Sequence, residues 1–396
     1  MRPSERIEAM QYSPIRKLVP FAEEAKKQGK KVYHLNIGQP DIETPKEFFD
    51  AIKNFDAKVL EYAFSQGLPV LIDSFIEYYK SFGIDYAKDE ILITNGGSEA
   101  LLFALIAVCE YGDEILIPEP FYTNYNTFSN ISGVTAVPIP TSADNGFKLP
   151  DTSVIESKIT PKTKAILFSN PGNPTGTVYG SEDMEKLKNL ALKHNLFILA
   201  DEVYKEMVYD GLKFTSFAQV DGISEHVIIT DSISKRYSAC GARIGCIVSK
   251  NKEVMRQILK LCQGRLSVAT LEQVGAAALA KVSPKYMQDV VVEYENRRNV
   301  VYKALTEIEG VKCQKPGGAF YIIAALPIDD ADDFCQWLLT DFSIDNETAM
   351  FAPASGFYAA KGSGKNEIRI SYVLEEASLK KAMNILKEAL KVYGNR

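Results

Sequence analysis

Histidine is scarce in this chain, with three in 396 residues, so a zinc site would have few imidazoles to draw on. The six cysteines (Cys109, Cys240, Cys246, Cys262, Cys313 and Cys335) contain no C-x-x-C pair. Four of them sit in apolar stretches, where a free thiol behaves as a small hydrophobe. We therefore expect a reduced, cytoplasmic protein and no metal site. Long apolar runs are also missing. The longest, 101–109, has nine residues, whereas a membrane span needs ~20. The opening MRPSERIEAMQYSPIRKL has no apolar core of the kind a signal peptide carries. Positive charge is not in excess: 45 Lys and Arg against 51 Asp and Glu leave a net −6, and a dedicated nucleic-acid binder more often shows a basic surplus. The expected partner is a small molecule, with neither nucleic acid nor membrane.

What is present is ordinary globular material, 46% apolar and 24% charged, which excludes disordered and collagen-like chains. The length suggests two or three domains, or one large α/β domain with a smaller companion. We find no low-complexity segment and no repeat at solenoid periods. Short apolar runs at 91–94, 114–118, 165–169, 197–200, 227–230 and 246–249 alternate with helical patterns such as 98–109 and 182–194. Runs of this kind, bounded by Gly, Pro, Asn or Asp, read as strands buried on both faces. Their alternation with helices predicts an α/β fold with a mostly parallel central sheet covered on both sides.

At Ser283-Pro284 the pattern changes. Ser as N-cap and Pro at the first helical position predict a helix running to about residue 309, before Gly310. Strand, helix, strand and helix are then expected at 319–324, 332–339, 367–372 and 376–392. The implied organisation is a large domain over 46–283 and a smaller α+β domain over 284–396. Residues 1–45, too short to fold alone, would pack with the small domain.

Open α/β sheets bind ligands at the carboxyl ends of their strands. After 91–94 come Asn95-Gly96-Gly97-Ser98 and a helix, a start whose free N–H groups favour an anion; an ordinary strand-to-helix turn can read the same way. After 165–169 comes Asn170-Pro171-Gly172-Asn173-Pro174-Thr175-Gly176, a rigid loop able to hold an Asn amide in the crevice. After 197–200 comes Asp201, a carboxylate at a buried strand end that needs a cationic partner or exposure. After 227–230 come Ser232, Ser234, Lys235 and Arg236, with Arg243 eight residues beyond Lys235. Hydroxyls and cations at a strand mouth make an anion site and leave one amine available as a nucleophile.

Taken together, S-N-P-x-N-P-T-G, then D-E-V-Y, then S-x-S-K with its later Arg resemble the fold-type I pyridoxal-phosphate aminotransferases, class I and II. The likeness begins at Leu35-Asn36-Ile37-Gly38-Gln39-Pro40-Asp41 and ends at Arg369-Ile370-Ser371-Tyr372. The spacing also fits, with 28 residues from Asn173 to Asp201 and 34 from Asp201 to Lys235.

The resemblance implies that Lys235 carries pyridoxal 5′-phosphate as a Schiff base, a bond only a primary amine can make, and shuttles the substrate proton. It implies that Asp201 pairs with the pyridinium nitrogen, and that Asn173 and Tyr204 hydrogen-bond the cofactor's phenolic oxygen. Tyr122 would stack on the ring, where many members have Trp. The phosphate would fall to Gly97, Ser98, Ser232, Ser234 and Arg243. Tyr62 would reach the phosphate of the neighbouring subunit, implying a homodimer with shared active sites. Arg369 would grip the substrate α-carboxylate with its guanidinium fork, with Gly38 across from it; for Gly38 a simple turn is an alternative.

The implied activity is transamination between an L-amino acid and a 2-oxo acid, aspartate aminotransferase-like, with 2-oxoglutarate as acceptor. An aromatic or broad-specificity aminotransferase and a C–S β-lyase are the alternatives within the fold. A transcriptional regulator would normally carry an additional N-terminal DNA-binding domain. A dicarboxylic substrate needs a second cation, for which Arg16 and Arg265 are the candidates.

Overall fold

The protein is described here by a computed structural model covering residues 1–8 and 10–394. Its strands are β1 (Lys31–His34), β2 (Ile91–Asn95), β3 (Glu114–Glu119), β4 (Thr135–Pro140), β5 (Thr163–Ser169), β6 (Phe197–Asp201), β7 (Val227–Ser232), β8 (Ile244–Val248), β9 (Lys312–Cys313), β10 (Tyr321–Ala325), β11 (Glu347–Met350), β12 (Ala352–Pro353) and β13 (Glu367–Ser371). Seven of them form the central sheet in the order β2-β8-β7-β6-β5-β3-β4. All neighbours are parallel except β8, which runs antiparallel to both β2 and β7.

Alternation is hidden inside the apolar runs, because successive strand residues point to opposite faces. Ile91, Ile93, Ile166, Phe168, Ile198 and Ile229 pack in one buried cluster. Leu92, Ala165, Leu167, Leu199 and Ile228 pack in another, against the helix Gly96–Val108. Each of the six expected runs is a strand, with small shifts: β7 continues to Ser232 and β8 begins at Ile244. Sequence reasoning missed β4, whose TAVPIP contains two prolines. It lies at the sheet edge, where a missing backbone donor is tolerated.

The remaining strands form a four-stranded sheet, β12-β13-β10-β9, and the parallel pair β1-β11. Their core joins Leu18, Tyr33 and Leu35 with Leu305, Phe320, Phe334, Ile370 and Leu386. The helix Pro284–Thr306 opens with the Ser283 side chain accepting from the Lys285 N–H, and it ends three residues before the expected 309. Helices Ala331–Thr340 and Glu376–Tyr393 complete this part. Among the described residues no helix is long and apolar enough to cross a membrane.

Register sets the chemistry at one end of the large sheet. Ser169 pairs with Asp201, Asp201 with Thr230, and Ser232 with Gly245. The carboxyl ends of β5, β6 and β7 therefore lie side by side, next to the Gly96-Gly97 helix start. Gly245 permits this approach, since a Cβ there would stand 2.6 Å from the Asp231 carbonyl and from the Gly96 backbone.

Candidate active site

A cavity of about 580 Å³ opens at these strand ends, lined by Gly38, Gly97, Ser98, Tyr122, Asn173, Asp201, Tyr204, Ser232, Ser234, Lys235, Arg243 and Arg369. Every residue to which the resemblance assigns a role is in that lining except Tyr62. Tyr62 is 83% exposed, beside exposed Val59, Leu60 and Phe64. Arg16 lines the cavity as well, together with Ser13 and Ile15. Arg265 does not: its guanidinium donates to the carbonyls of Ser65 and Ile93 and lies 3.6 Å from Glu99. Its Nε and Nη1 have no hydrogen-bond partner.

Asp201 sits at a buried strand end, as expected, and its hydrogen-bond partners within the chain are neutral. It is 5% exposed, accepts the Tyr125 hydroxyl at 2.6 Å, and accepts the Val203 N–H at 3.4 Å. Burial pushes its carboxyl up from 3.8 to about 6, partly offset by those bonds. A buried carboxylate at a cavity wall, held by neutral donors, is set to receive a cation from the cavity.

Lys235 stands on a one-turn helix, Ile233–Arg236. Its Nζ donates to the Gly38 carbonyl at 2.9 Å and lies 3.7 Å from Cys240 Sγ. Arg369 is 1% exposed. One Nη donates to Asn173 Oδ1 at 3.2 Å, the other to the Asn36 carbonyl, and its Nε has no partner. Burial lowers its pKa. A buried guanidinium with a free donor calls for an anion.

The helix start at Gly96, Arg243 and the Ser pair form the opposite wall. Arg243 is held at φ +53°, a conformation uncommon for a side-chain-bearing residue, and its Nη1 donates to the Cys240 carbonyl at 3.0 Å. Ser232 Oγ donates to the Ile244 carbonyl at 2.9 Å and lies 2.7 Å from Ser234 Oγ. That commits Ser232's proton and leaves Ser234's as the one an anion could draw. Arg236, grouped with this cluster from its sequence position, instead turns away to Asp231.

Sequence reasoning did not single out Tyr125 or Tyr321. The Tyr321 hydroxyl is 2.7 Å from that of Tyr204, and the Arg369 guanidinium sits 4.4 Å from the Tyr321 ring centre. Neither tyrosine belongs to a local motif; each matters through a partner far along the chain. Tyr122 packs edge-on to Tyr125, ring centres 5.6 Å apart, and its hydroxyl accepts from Asn124.

The residues present suit pyridoxal 5′-phosphate: a primary amine, a buried carboxylate with no cationic partner, an aromatic wall, and amides with a guanidinium at a helix start. Similarity to known proteins agrees. The chain is 32% identical to the aromatic-amino-acid aminotransferase 2 of Thermococcus litoralis, over 98% of both chains. It is 30% identical to an aspartate aminotransferase of Bacillus subtilis over the full length of each. A solved aspartate aminotransferase from Thermus thermophilus, with maleate, superposes with a TM-score of 0.88 at 28% identity, covering 98% of this chain and all of that one. The family described as Aminotransferase class I and II matches residues 30–386. The chain is an aminotransferase and belongs to that class I and II family.

Proposed function

We propose that this aminotransferase moves the amino group of an L-dicarboxylic amino acid, aspartate by preference, to 2-oxoglutarate, using pyridoxal 5′-phosphate held by Lys235. The observation that carries the reading is the cavity's cation pattern. Lys235, Arg243 and Arg369 serve cofactor, phosphate and α-carboxylate, which leaves Arg16 in the same cavity lining with no such duty. A second carboxylate on the substrate would meet it. The Thermus relative that superposes on this chain carries maleate, itself a dicarboxylate.

When bound, the cofactor supplies an aldehyde that links to amines and a ring that withdraws electrons. The protein's own residues do the rest. Asp201 holds the proton on the ring nitrogen, and Tyr125 in turn holds Asp201 through its 2.6 Å bond. Arg369 orients the substrate so that its Cα–H faces Lys235, whose Nζ takes that proton and returns it. Tyr204 and the Asn173 amide serve the cofactor's phenolic oxygen, and Tyr122 covers the ring. Gly97, Ser98, Ser234, with Ser232 behind it, and Arg243 hold the phosphate.

The active unit in this reading is a homodimer in which Tyr62 completes the partner's phosphate site. The exposed Val59, Leu60, Tyr62 and Phe64 support that face as the one covered. The division into 1–45, 46–283 and 284–396 is part of the same proposal, supported by one apolar cluster confined to 46–283 and another that joins residues of 1–45 and 284–396, with Tyr204, Met207 and Tyr209 packing into the second. Six free thiols favour the cytoplasm.

The test is a panel of amino donors with and without 2-oxoglutarate, followed by borohydride reduction and peptide mapping. Aspartate turning over only with the acceptor, and a pyridoxyl group on Lys235, are the expected results. A label on another lysine, or turnover without acceptor, overturns the reading.

A further inference from the structure

The one-turn helix that carries Lys235 is a poor support by itself. Four residues form too few hydrogen bonds to offset the cost of nucleating a helix, and this turn has space on both sides. Ser234 and Lys235 line the 580 Å³ cavity. Ile233 and Arg236 line a second cavity of about 410 Å³, which Phe75, Tyr78 and Glu206 also bound. Only Ile233 of the four packs into the buried apolar cluster, so close packing holds the turn at one point and does not by itself decide where Lys235 stands.

A side-chain bridge does. Asp231 lies just before the turn and Arg236 closes it. Arg236 Nη1 donates to both Asp231 carboxylate oxygens, at 2.9 and 3.0 Å, and to the Ser232 carbonyl at 3.2 Å. Asp231 also accepts the Ser232 N–H at 2.7 Å, so the bridge spans Ser232-Ile233-Ser234-Lys235 from end to end. Two groups from outside the turn also donate to Asp231 Oδ2: Lys205 Nζ at 2.7 Å and the Tyr79 hydroxyl at 3.3 Å. The Arg236 guanidinium lies 4.1 Å from the centre of the Tyr78 ring.

All three charges are buried: Asp231 is 0% exposed, Lys205 and Arg236 3% each. Burying ion pairs costs so much desolvation that apolar residues of similar size are often as stable. Stability is thus a weak reason for this cluster, and geometric definition is a strong one. We propose that Asp231 and Arg236 act as a clamp fixing the place of Lys235 Nζ, which makes them positioning residues of the reaction, while Lys205 only balances charge. The proposal rests on Lys235 being the amine that holds the cofactor.

Arg236→Lys keeps the charge, but its ammonium ends a shorter side chain and has no planar group to lie on the Tyr78 ring, so it cannot hold the place of Nη1 between Asp231 and the Ser232 carbonyl. Lys205→Met removes a cation without touching the turn. Wild type and both variants, stripped of cofactor, are mixed with pyridoxal 5′-phosphate. Attachment is followed by absorbance, thermal midpoint by calorimetry, and then kcat and KM. We expect Arg236→Lys to attach the cofactor about tenfold more slowly and to lose about tenfold in kcat with KM nearly unchanged. Lys205→Met should lower the midpoint yet attach at the wild-type rate. Should Arg236→Lys fail to fold, Asp231→Glu, which keeps every charge and lengthens the arm, gives the same signature. Attachment at the wild-type rate in Arg236→Lys overturns the clamp. So does slowing in both variants that merely tracks their lost stability. Borohydride mapping of the wild type separates the two readings: a label away from Lys235 overturns the site assignment, and the clamp with it.

Discussion

The hydroxyl groups of Tyr204 and Tyr321 lie 2.7 Å apart although the residues are 117 positions apart in the chain. The contact joins the segment after β6 to the start of β10, and so ties the large sheet to the small one at the cavity wall. It also explains Gly38, since a Cβ at that position would overlap the Tyr321 hydroxyl. Gly38 is therefore set by Tyr321 within its own chain, in addition to any approach of substrate.

Gly38→Ala should displace Tyr321 and cost at least tenfold in kcat/KM. A Cβ at position 38 would overlap the Tyr321 ring as well as its hydroxyl, so the double variant Gly38→Ala/Tyr321→Ala, which removes both, should recover part of the loss relative to Tyr321→Ala alone. Steady-state kinetics on the four forms of this cycle measure the coupling. No recovery in the double variant would mean that Gly38 acts directly on the substrate.

Arg16→Gln should lower kcat/KM for aspartate by about 10- to 100-fold, the value of one charge-assisted contact. Activity toward an aromatic donor should change little. A parallel fall for both donors would mean that Arg16 supports the fold of its loop instead of reading the side chain.

Complementation tests the shared site. Tyr62→Ala and Lys235→Ala are each expected to be nearly inactive. After unfolding, mixing and refolding, about half the dimers are mixed, and each mixed dimer carries one intact site, so activity should approach about a quarter of wild type if the sites are independent. Recovery no greater than the average of the two variants would assign Tyr62 to its own subunit.

Glu202 supplies a pH test away from the chemistry. It is 1% exposed, accepts from the Ser216 hydroxyl and the Phe217 N–H, and burial raises it from 4.5 to about 7, against the opposing charge of Lys205. A carboxyl raised on folding holds its proton longer in the folded state, so its contribution to stability is present at low pH and is lost as pH rises from about 4.5 to about 7. The thermal midpoint of Glu202→Gln relative to wild type should therefore climb across that window. A constant difference would mean that Glu202 stays ionised throughout, paired with Lys205.

Strand positions were legible in the sequence because burial on both faces leaves short, nearly unbroken apolar runs between Gly, Pro, Asn and Asp. Edge strand β4 was not, since its two prolines imitate a loop and only its place beside β3 makes it a strand. The sequence by itself also marked Lys235, Asn173, Asp201 and Arg369, each in a motif within a few residues of a strand end. Which of these meet, and on what terms, was decided by tertiary structure. Folding brought Arg16 to the cavity and bound Arg265 elsewhere. It set the Tyr125 hydroxyl against Asp201, and turned Arg236 from the anion site to Asp231. Those outcomes depend on how sheet register and loop packing bring separate segments together, and no local pattern of residue types encodes such distances.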